Sequence, residues 1–181
     1  QSKLKTNSIA IFNSNDIMPT NADGTMPFKQ NNDLFWLSGI DQEESVLVIS
    51  PFHPNEQMRE ILFLKETNEH IAIWEGKKLT KEQAYVTSGI KTVYWLSQLD
   101  DKLDEIITET ENIYLNKNMH SRSASQVQTC DDRFRIKISE KYTEKEILEI
   151  APIMHELRPI KSTIEIELMQ KACDITEKGL R

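Results

Sequence analysis

The sequence predicts an α/β domain in which a mixed β-sheet is flanked by helices. Short apolar runs alternate along the chain with segments whose apolar residues recur every three or four positions, which is typical of strands connected by helices. Apolar runs such as 46–49 and 61–64 are four residues long, whereas a membrane-spanning helix needs about 20. We therefore expect a sheet-based domain that does not enter a membrane.

Composition excludes several classes of partner. The 181 residues carry a net charge of −7, which opposes binding to nucleic acid or anionic lipid because both recruit basic surface. Cys130 and Cys173 do not form a C-x-x-C pair, so neither a zinc ribbon nor a redox motif is indicated. The sequence shows no cationic leader followed by an apolar stretch, and we expect a cytoplasmic protein.

The first predicted strand and helix lie within the first 40 residues. Residues 8–12, Ser-Ile-Ala-Ile-Phe, form a β-prone run before polar residues, as expected of a buried strand that ends in a loop. Asp33 is predicted to cap a short helix that Gly39 ends. The side chains of Phe35 and Trp36 in this helix are expected to face the core.

Three further strands are predicted before the second helix. Residues 45–50 and 60–65 are apolar runs separated by prolines and an asparagine, which is typical of neighbouring strands joined by a loop. Residues 71–74, Ile-Ala-Ile-Trp, are predicted to form the next strand, which Gly76 ends.

Two capped helices are predicted on either side of a short strand. Thr80 stands three residues before Gln83, which is the spacing of a capping box, and Gly89 ends that helix. A strand at 92–94 follows, and Ser97 is predicted to cap the next helix. The apolar face of this helix comprises Leu99, Leu103, Ile106 and Ile107.

The last third of the chain contains one predicted strand and two clear helices. Residues 112–115 form the strand, and the polar residues 116–129 are assigned to a loop with some helix. Pro152 fits the first turn of a short helix that Pro159 ends. Ser162 begins a longer helix in the capping box S-x-x-E. Its apolar face comprises Ile164, Leu168, Ala172 and Ile175.

The chain carries none of the common catalytic motifs. Its four histidines are isolated, and none has a metal-binding spacing such as H-E-x-x-H. The acidic residues between 100 and 111 fall largely opposite the apolar face of their helix, as expected of a solvated surface. Neither a phosphate-binding glycine loop nor a G-x-S-x-G elbow occurs. We therefore predict no catalytic residue and no metal ligand within the chain.

Three segments match the signatures of a known family. Residues 26–40, MPFKQNNDLFWLSGI, are similar to F-R-Q-x-S-[DN]-F-x-Y-L-T-G. Residues 60–65 and then 73–79, EILFLK and IWEGKKL, are together similar to L-F…E-x-W-x-G-R-R-L-G. Residues 152–172 resemble the linker and first catalytic-domain helix of the same family. On these segments the chain resembles the amino-terminal domain of aminopeptidase P, of the creatinase/prolidase type. The structural motif positions are Phe28, Lys29, Gln30, Asp33, Phe35, Trp36, Gly39 and Gly76.

The chain departs from the family pattern at four positions. Lys29, Lys77 and Lys78 stand where the family has arginine, and Thr80 stands where it has glycine. Arginine pairs with carboxylates through a planar fork that lysine lacks. Any carboxylate pairing at these positions is therefore expected to be weaker here.

The resemblance implies a metallopeptidase, a Xaa-Pro aminopeptidase that removes the amino-terminal residue ahead of proline. Residues 1–158 would be its amino-terminal non-catalytic domain, and residues 159–181 the linker and first helix of the catalytic domain. Two Mn ions would be held beyond Arg181. The implied partners are the catalytic domain of the same chain, other copies in a homo-oligomer, and proline-containing peptides.

Two alternative functions share this architecture. Prolidases and creatinases have the same two-domain plan, and a histone-binding subunit has it without peptidase chemistry. The W-x-G-x-x-L match favours aminopeptidase P.

Trp74 and Lys77 are the candidate residues for substrate contact or an interface. Gly76 allows a turn that can project the indole, and the lysines keep its surroundings polar. The alternative is that Trp74 caps the sheet as a core residue.

Overall fold

The computed structural model describes residues 3–122 and 126–181, which form two units, Gln1–Ile150 and Ala151–Arg181. The first unit contains a six-stranded sheet with helices, and the second contains two helices. The domain boundary predicted at residue 158 stays a prediction. Part of the segment assigned to a loop with some helix, residues 123–125, lies outside the described residues.

The sheet is mixed, as the sequence predicts. Its strands are β1 (Ser8–Asn13), β2 (Val46–Ile49), β3 (Glu60–Leu64), β4 (Thr92–Trp95), β5 (Asn112–Leu115) and β6 (Glu146–Glu149). The spatial order is β4-β3-β2-β1-β5-β6, and only β2 runs antiparallel to its neighbours among these strands. The carboxyl ends of the other five strands therefore meet at one edge of the sheet, where β2 begins.

The helices that the structure describes are divided between the two units. They are α1 (Asn32–Ser38), α2 (Glu69–Glu75), α3 (Lys81–Ser88), α4 (Leu99–Thr108) and α5 (Cys130–Lys141), with α6 (Ala151–Leu157) and α7 (Thr163–Leu180) in the second unit. The predicted apolar face of α4 is confirmed, since its four members are all buried. They join a cluster with Ile9 and Ile11 of β1, and all six side chains of β1 are buried. None of the helices in the described ranges combines the length and apolar character that a bilayer crossing needs.

The predicted strand at residues 71–74 is wrong, because this run lies in α2. A four-residue apolar run carries too little periodicity to distinguish a strand from a helix. Asn68 decides the outcome locally, since its side chain accepts a hydrogen bond from the backbone N–H of Ile71 at 2.9 Å and caps α2. Strand β6 and helix α5 were not predicted at their observed positions. Their apolar residues are interspersed with charged ones.

Two predicted helix caps are also wrong. Asn31 caps α1 in place of Asp33, and its side chain accepts from the backbone N–H groups of Asp33 and Leu34 at 2.9 and 3.3 Å. Ser97 lies in a 3-10 turn that precedes α4, and α4 has no side-chain cap. The capping boxes that begin α3 and α7 are confirmed.

The expectation that Phe35 and Trp36 face the core is contradicted. Both side chains are exposed, by 49% and 40%. Helix α1 buries Leu34 and Ser38 instead, which are four residues apart and therefore share a face. Residues 35 and 36 consequently point away from the sheet.

Candidate functional site

Trp74 lies near the end of α2, a seven-residue helix with no buried side chain. Its side chain is 80% exposed, and that of Ile73 is 74% exposed. The alternative in which Trp74 caps the sheet is therefore wrong. Helix α2 ends at Gly76, whose φ of 78° lies in the left-handed region that favours glycine. The predicted turn after Trp74 is present, and the indole projects from the helix that precedes this turn.

The loop between α1 and β2 holds the segment that follows Trp74. Three consecutive residues of this loop, Gln42, Glu43 and Glu44, make the contacts described below, and we call them the brace loop. Gln42 Oε1 accepts a hydrogen bond from the backbone N–H of Leu79 at 2.7 Å. The carboxylate of Glu43 pairs with Lys78, and only 13% and 11% of their side chains are exposed. This ion pair is therefore largely shielded from water.

The third member of the brace loop reaches α2 through a lysine. Lys65 follows β3, and its Nζ lies 2.7 Å from a carboxylate oxygen of Glu44 and 2.7 Å from one of Glu75. Hydrogen bonds to Glu44 and Glu75 raise the pKa of Lys65, and the same contact lowers the pKa of Glu75. Lys65 therefore remains charged at neutral pH and bridges the two acids.

The first family motif also reaches the brace loop. Gln30 is buried, and its Nε2 donates to the backbone oxygen of Gln42 at 2.7 Å. The Oε1 of Gln30 accepts from the backbone N–H of Asn31 at 2.7 Å. Phe28 is partly buried, whereas Lys29 is exposed. Gln30 is thus the member of this motif that connects the two matching segments.

The remaining motif residues have conformational or surface positions. Gly39 ends α1 with a φ of 70°, and its N–H donates to the backbone oxygen of Phe35 at 2.7 Å. Lys77 is exposed, beside the shielded Lys78. An open cavity of about 450 Å³ lies between the brace loop and this lysine pair. The structure therefore brings Lys77 and Gly39 to one cavity, and Gln30 to the loop beside it.

A second cavity, of about 520 Å³, lies at the sheet edge where five strands end. Cys130 lines it, and burial raises the pKa of this thiol to about 11, so the thiol is not ionised at neutral pH. Behind it, the side-chain amides of Asn13 and Asn116 donate to the two oxygens of Asp131 at 2.9 and 2.8 Å. Burial raises the pKa of Asp131. These contacts connect α5 to the ends of β1 and β5 and provide no activated nucleophile.

Within residues 3–122 and 126–181, no group of three or more His, Cys, Asp or Glu side chains could hold a metal ion. The described residues therefore do not fit the pair of Mn ions that the family resemblance implies.

Comparison with known proteins identifies the family. The sequence model described as "Aminopeptidase P, N-terminal domain" matches residues 1–114. The chain belongs to this family. The first two motif segments, with Gln30 and Trp74, lie inside the matched range, and the third, residues 152–172, lies outside it.

Relatives of known name or structure match nearly the whole chain. A Xaa-Pro aminopeptidase of Haemophilus influenzae is 26% identical over 98% of this chain and 38% of its own length. The mitochondrial intermediate cleaving peptidase 55 of Arabidopsis thaliana is 27% identical over 98% of this chain and 33% of its own length. A solved structure described as a candidate aminopeptidase P from Bacillus anthracis covers 99% of this chain, with 25% identity and a TM-score of 0.88. The chain thus spans about two fifths or less of these relatives.

Proposed function

We propose that this chain is the amino-terminal domain of a Xaa-Pro aminopeptidase, a metallopeptidase that releases the residue preceding proline. The observation that carries the proposal is the match to a Xaa-Pro aminopeptidase over 98% of this chain but 38% of the relative. In this proposal the domain shapes the substrate cleft and supports contacts between subunits. Peptide cleavage belongs to the remainder of the protein.

Other parts of the proposal concern metal, partners and location. Two Mn ions would be held by a catalytic domain beyond Arg181, and such ions would supply Lewis-acid activation of a peptide carbonyl and hydroxide at neutral pH. The partners are that catalytic domain, further copies of the same protein and proline-containing peptides. The cytoplasm is the proposed location, and the mitochondrial relative supplies the alternative, which cell fractionation would distinguish.

Trp74 is the proposed contact with substrate. An indole that is 80% exposed offers a flat apolar surface. Tryptophan is enriched at binding interfaces, because its ring makes apolar contacts while its N–H can reach a polar group or water. We place this surface in the cleft of a neighbouring subunit, against a substrate residue beyond the proline.

Substitution of Trp74 in the full-length protein tests this role. Trp74→Ala should raise KM for peptides of four or more residues about five- to thirtyfold, as expected when roughly 1–2 kcal/mol of uniform binding is removed. It should leave KM for Xaa-Pro dipeptides nearly unchanged. Trp36→Ala is the matched control, because Trp36 is also exposed but lies on α1.

The same assay distinguishes the alternatives. Equal KM values for Trp74→Ala and the unchanged protein at every peptide length would contradict the role of Trp74. Turnover of dipeptides alone would indicate a prolidase. Absence of turnover by the Mn-loaded full-length protein would favour a binding module of the same fold.

A further inference from the structure

We infer that Glu43 and Lys78 are positioning residues: their ion pair fixes the segment after α2, so that the indole of Trp74 is presented in one orientation. The consequence for substrate binding rests on the proposed role of Trp74. The mechanical part of the inference concerns this domain alone and can be tested separately.

Helix α2 needs an external support. It has seven residues, whereas isolated helices shorter than about 12–15 residues are marginal in water. Packing provides little compensation, because none of its side chains is buried. Its first turn is capped by Asn68, so the structure already fixes the start of the helix. Support for its end must come from contacts near Gly76.

Two ion-pair contacts bracket Gly76. On one side, Glu75 binds Lys65, which also binds Glu44. On the other side, Lys78 binds Glu43. Both contacts connect to adjacent residues of the brace loop, so the chain is held on both sides of Gly76. Trp74 immediately precedes this turn, and a change in the turn would reorient the end of its helix.

The brace loop is itself firmly held. The backbone oxygen of Gln42 accepts hydrogen bonds from Gln30 Nε2 and from Ser45 Oγ, both at 2.7 Å. Gln30, Gln42 and Ser45 are all buried. The loop therefore provides a fixed base to which a surface helix can be tied.

Of the two ion-pair contacts, the Glu43–Lys78 pair is the one whose loss should have the larger effect. Its side chains are 13% and 11% exposed, whereas those of Lys65, Glu44 and Glu75 are 27%, 46% and 45% exposed. Solvent screening weakens exposed pairs, and removal of one partner from a shielded pair leaves a charge without compensation. Substitution at Lys78 or Glu43 should therefore disturb the segment more than loss of a surface pair.

The functional experiment uses the full-length enzyme. Lys78→Met should raise KM for peptides of four or more residues about three- to tenfold, and kcat for a Xaa-Pro dipeptide should stay within about twofold. Lys78→Arg should restore the KM of the unchanged enzyme, because it keeps the charge. Lys102→Met is the matched control, since it breaks an exposed pair with Glu105 on α4. Glu43→Gln provides the same test from the opposite side if Lys78→Met does not fold.

A second measurement separates the brace from the role of Trp74. The second measurement uses the 181-residue chain with the substitutions Trp36→Phe and Trp95→Phe, in which Trp74 is the one remaining tryptophan. The decay of its fluorescence anisotropy reports the local motion of the indole. Lys78→Met should increase the amplitude of its fast decay, and Lys102→Met should not. An unchanged decay would overturn the inference, as would a KM rise that is equal for dipeptides and longer peptides. If the decay changes but Trp74→Ala leaves KM unaffected, the brace stands and the proposed role of Trp74 fails.

Discussion

Trp74→Ala should barely lower the stability of the 181-residue chain. The side chain is 80% exposed, so folding removes about one fifth of its roughly 250 Å² from water. That area, about 50 Å², contributes roughly 1 kcal/mol at ~25 cal/mol/Å². The higher helix propensity of alanine offsets about half of this loss of burial energy. The expected loss in the free energy of unfolding is therefore about 0.5 kcal/mol.

Phe63→Ala is the contrasting substitution. Phe63 is fully buried, and its ring centroid lies 5.8 Å from that of Tyr94. Emptying such a site costs about 3–5 kcal/mol. Since 1 kcal/mol shifts Tm by about 2–4 °C in a chain of this size, Trp74→Ala should lower Tm by about 1–2 °C and Phe63→Ala by about 6–20 °C. Thermal melts followed by circular dichroism measure both. A comparable drop in the two variants would refute the assignment of Trp74 to the surface.

Two further outcomes follow from the contacts of α4, α5 and α7. Tyr142 donates to Asp104, whose pKa is lowered by Lys141 and then by Tyr142, so Tyr142→Phe should cost about 1 kcal/mol at pH 7. A carboxyl group whose pKa is lowered by folding stabilises the folded state at pH values above its unfolded pKa of about 3.9, and this stabilisation is lost as the pH falls through the folded pKa. The difference in the free energy of unfolding between Tyr142→Phe and the unchanged chain, measured by urea melts, should therefore be smaller at pH 3 than at pH 7. An equal difference at the two pH values would contradict the contact. Helix α7 has no buried side chain, so hydrogen exchange across Thr163–Leu180 should be faster than in β1, and equal protection would count against this.

Much of the first unit could be predicted from the sequence, because its central strands are buried on both faces. β1, β2 and β3 are short apolar runs bounded by polar or turn residues, and the capped helix α3 combines a capping box with a terminal glycine. Helix α2 could not be predicted in this way. Its apolar residues Ile73 and Trp74 do not pack in a core, so the usual relation between apolar pattern and burial fails there.

The site was less predictable than the fold. Family motifs indicated Trp74 and Gln30, but the brace loop lies between the motifs. Its contacts span 21 residues from Glu44 to Lys65 and 37 residues from Gln42 to Leu79. Propensity and local spacing carry no information on such pairings. The usable signal was a charge pattern: two consecutive acids at 43–44 and two consecutive lysines at 77–78.

The two adjacent lysines have different environments and therefore different uses. The sequence alone favoured Lys77 for a contact, and it is exposed, without an ion pair to any residue the structure describes. Lys78 is shielded and bound to Glu43. Lysine binds a carboxylate as a point charge, so the positive charge at position 78 is what sustains the pair with Glu43. In the proposed arrangement the charge of Lys78 thus maintains the turn beside Trp74, and Lys77, which is exposed, is the proposed contact with a substrate or a neighbouring subunit.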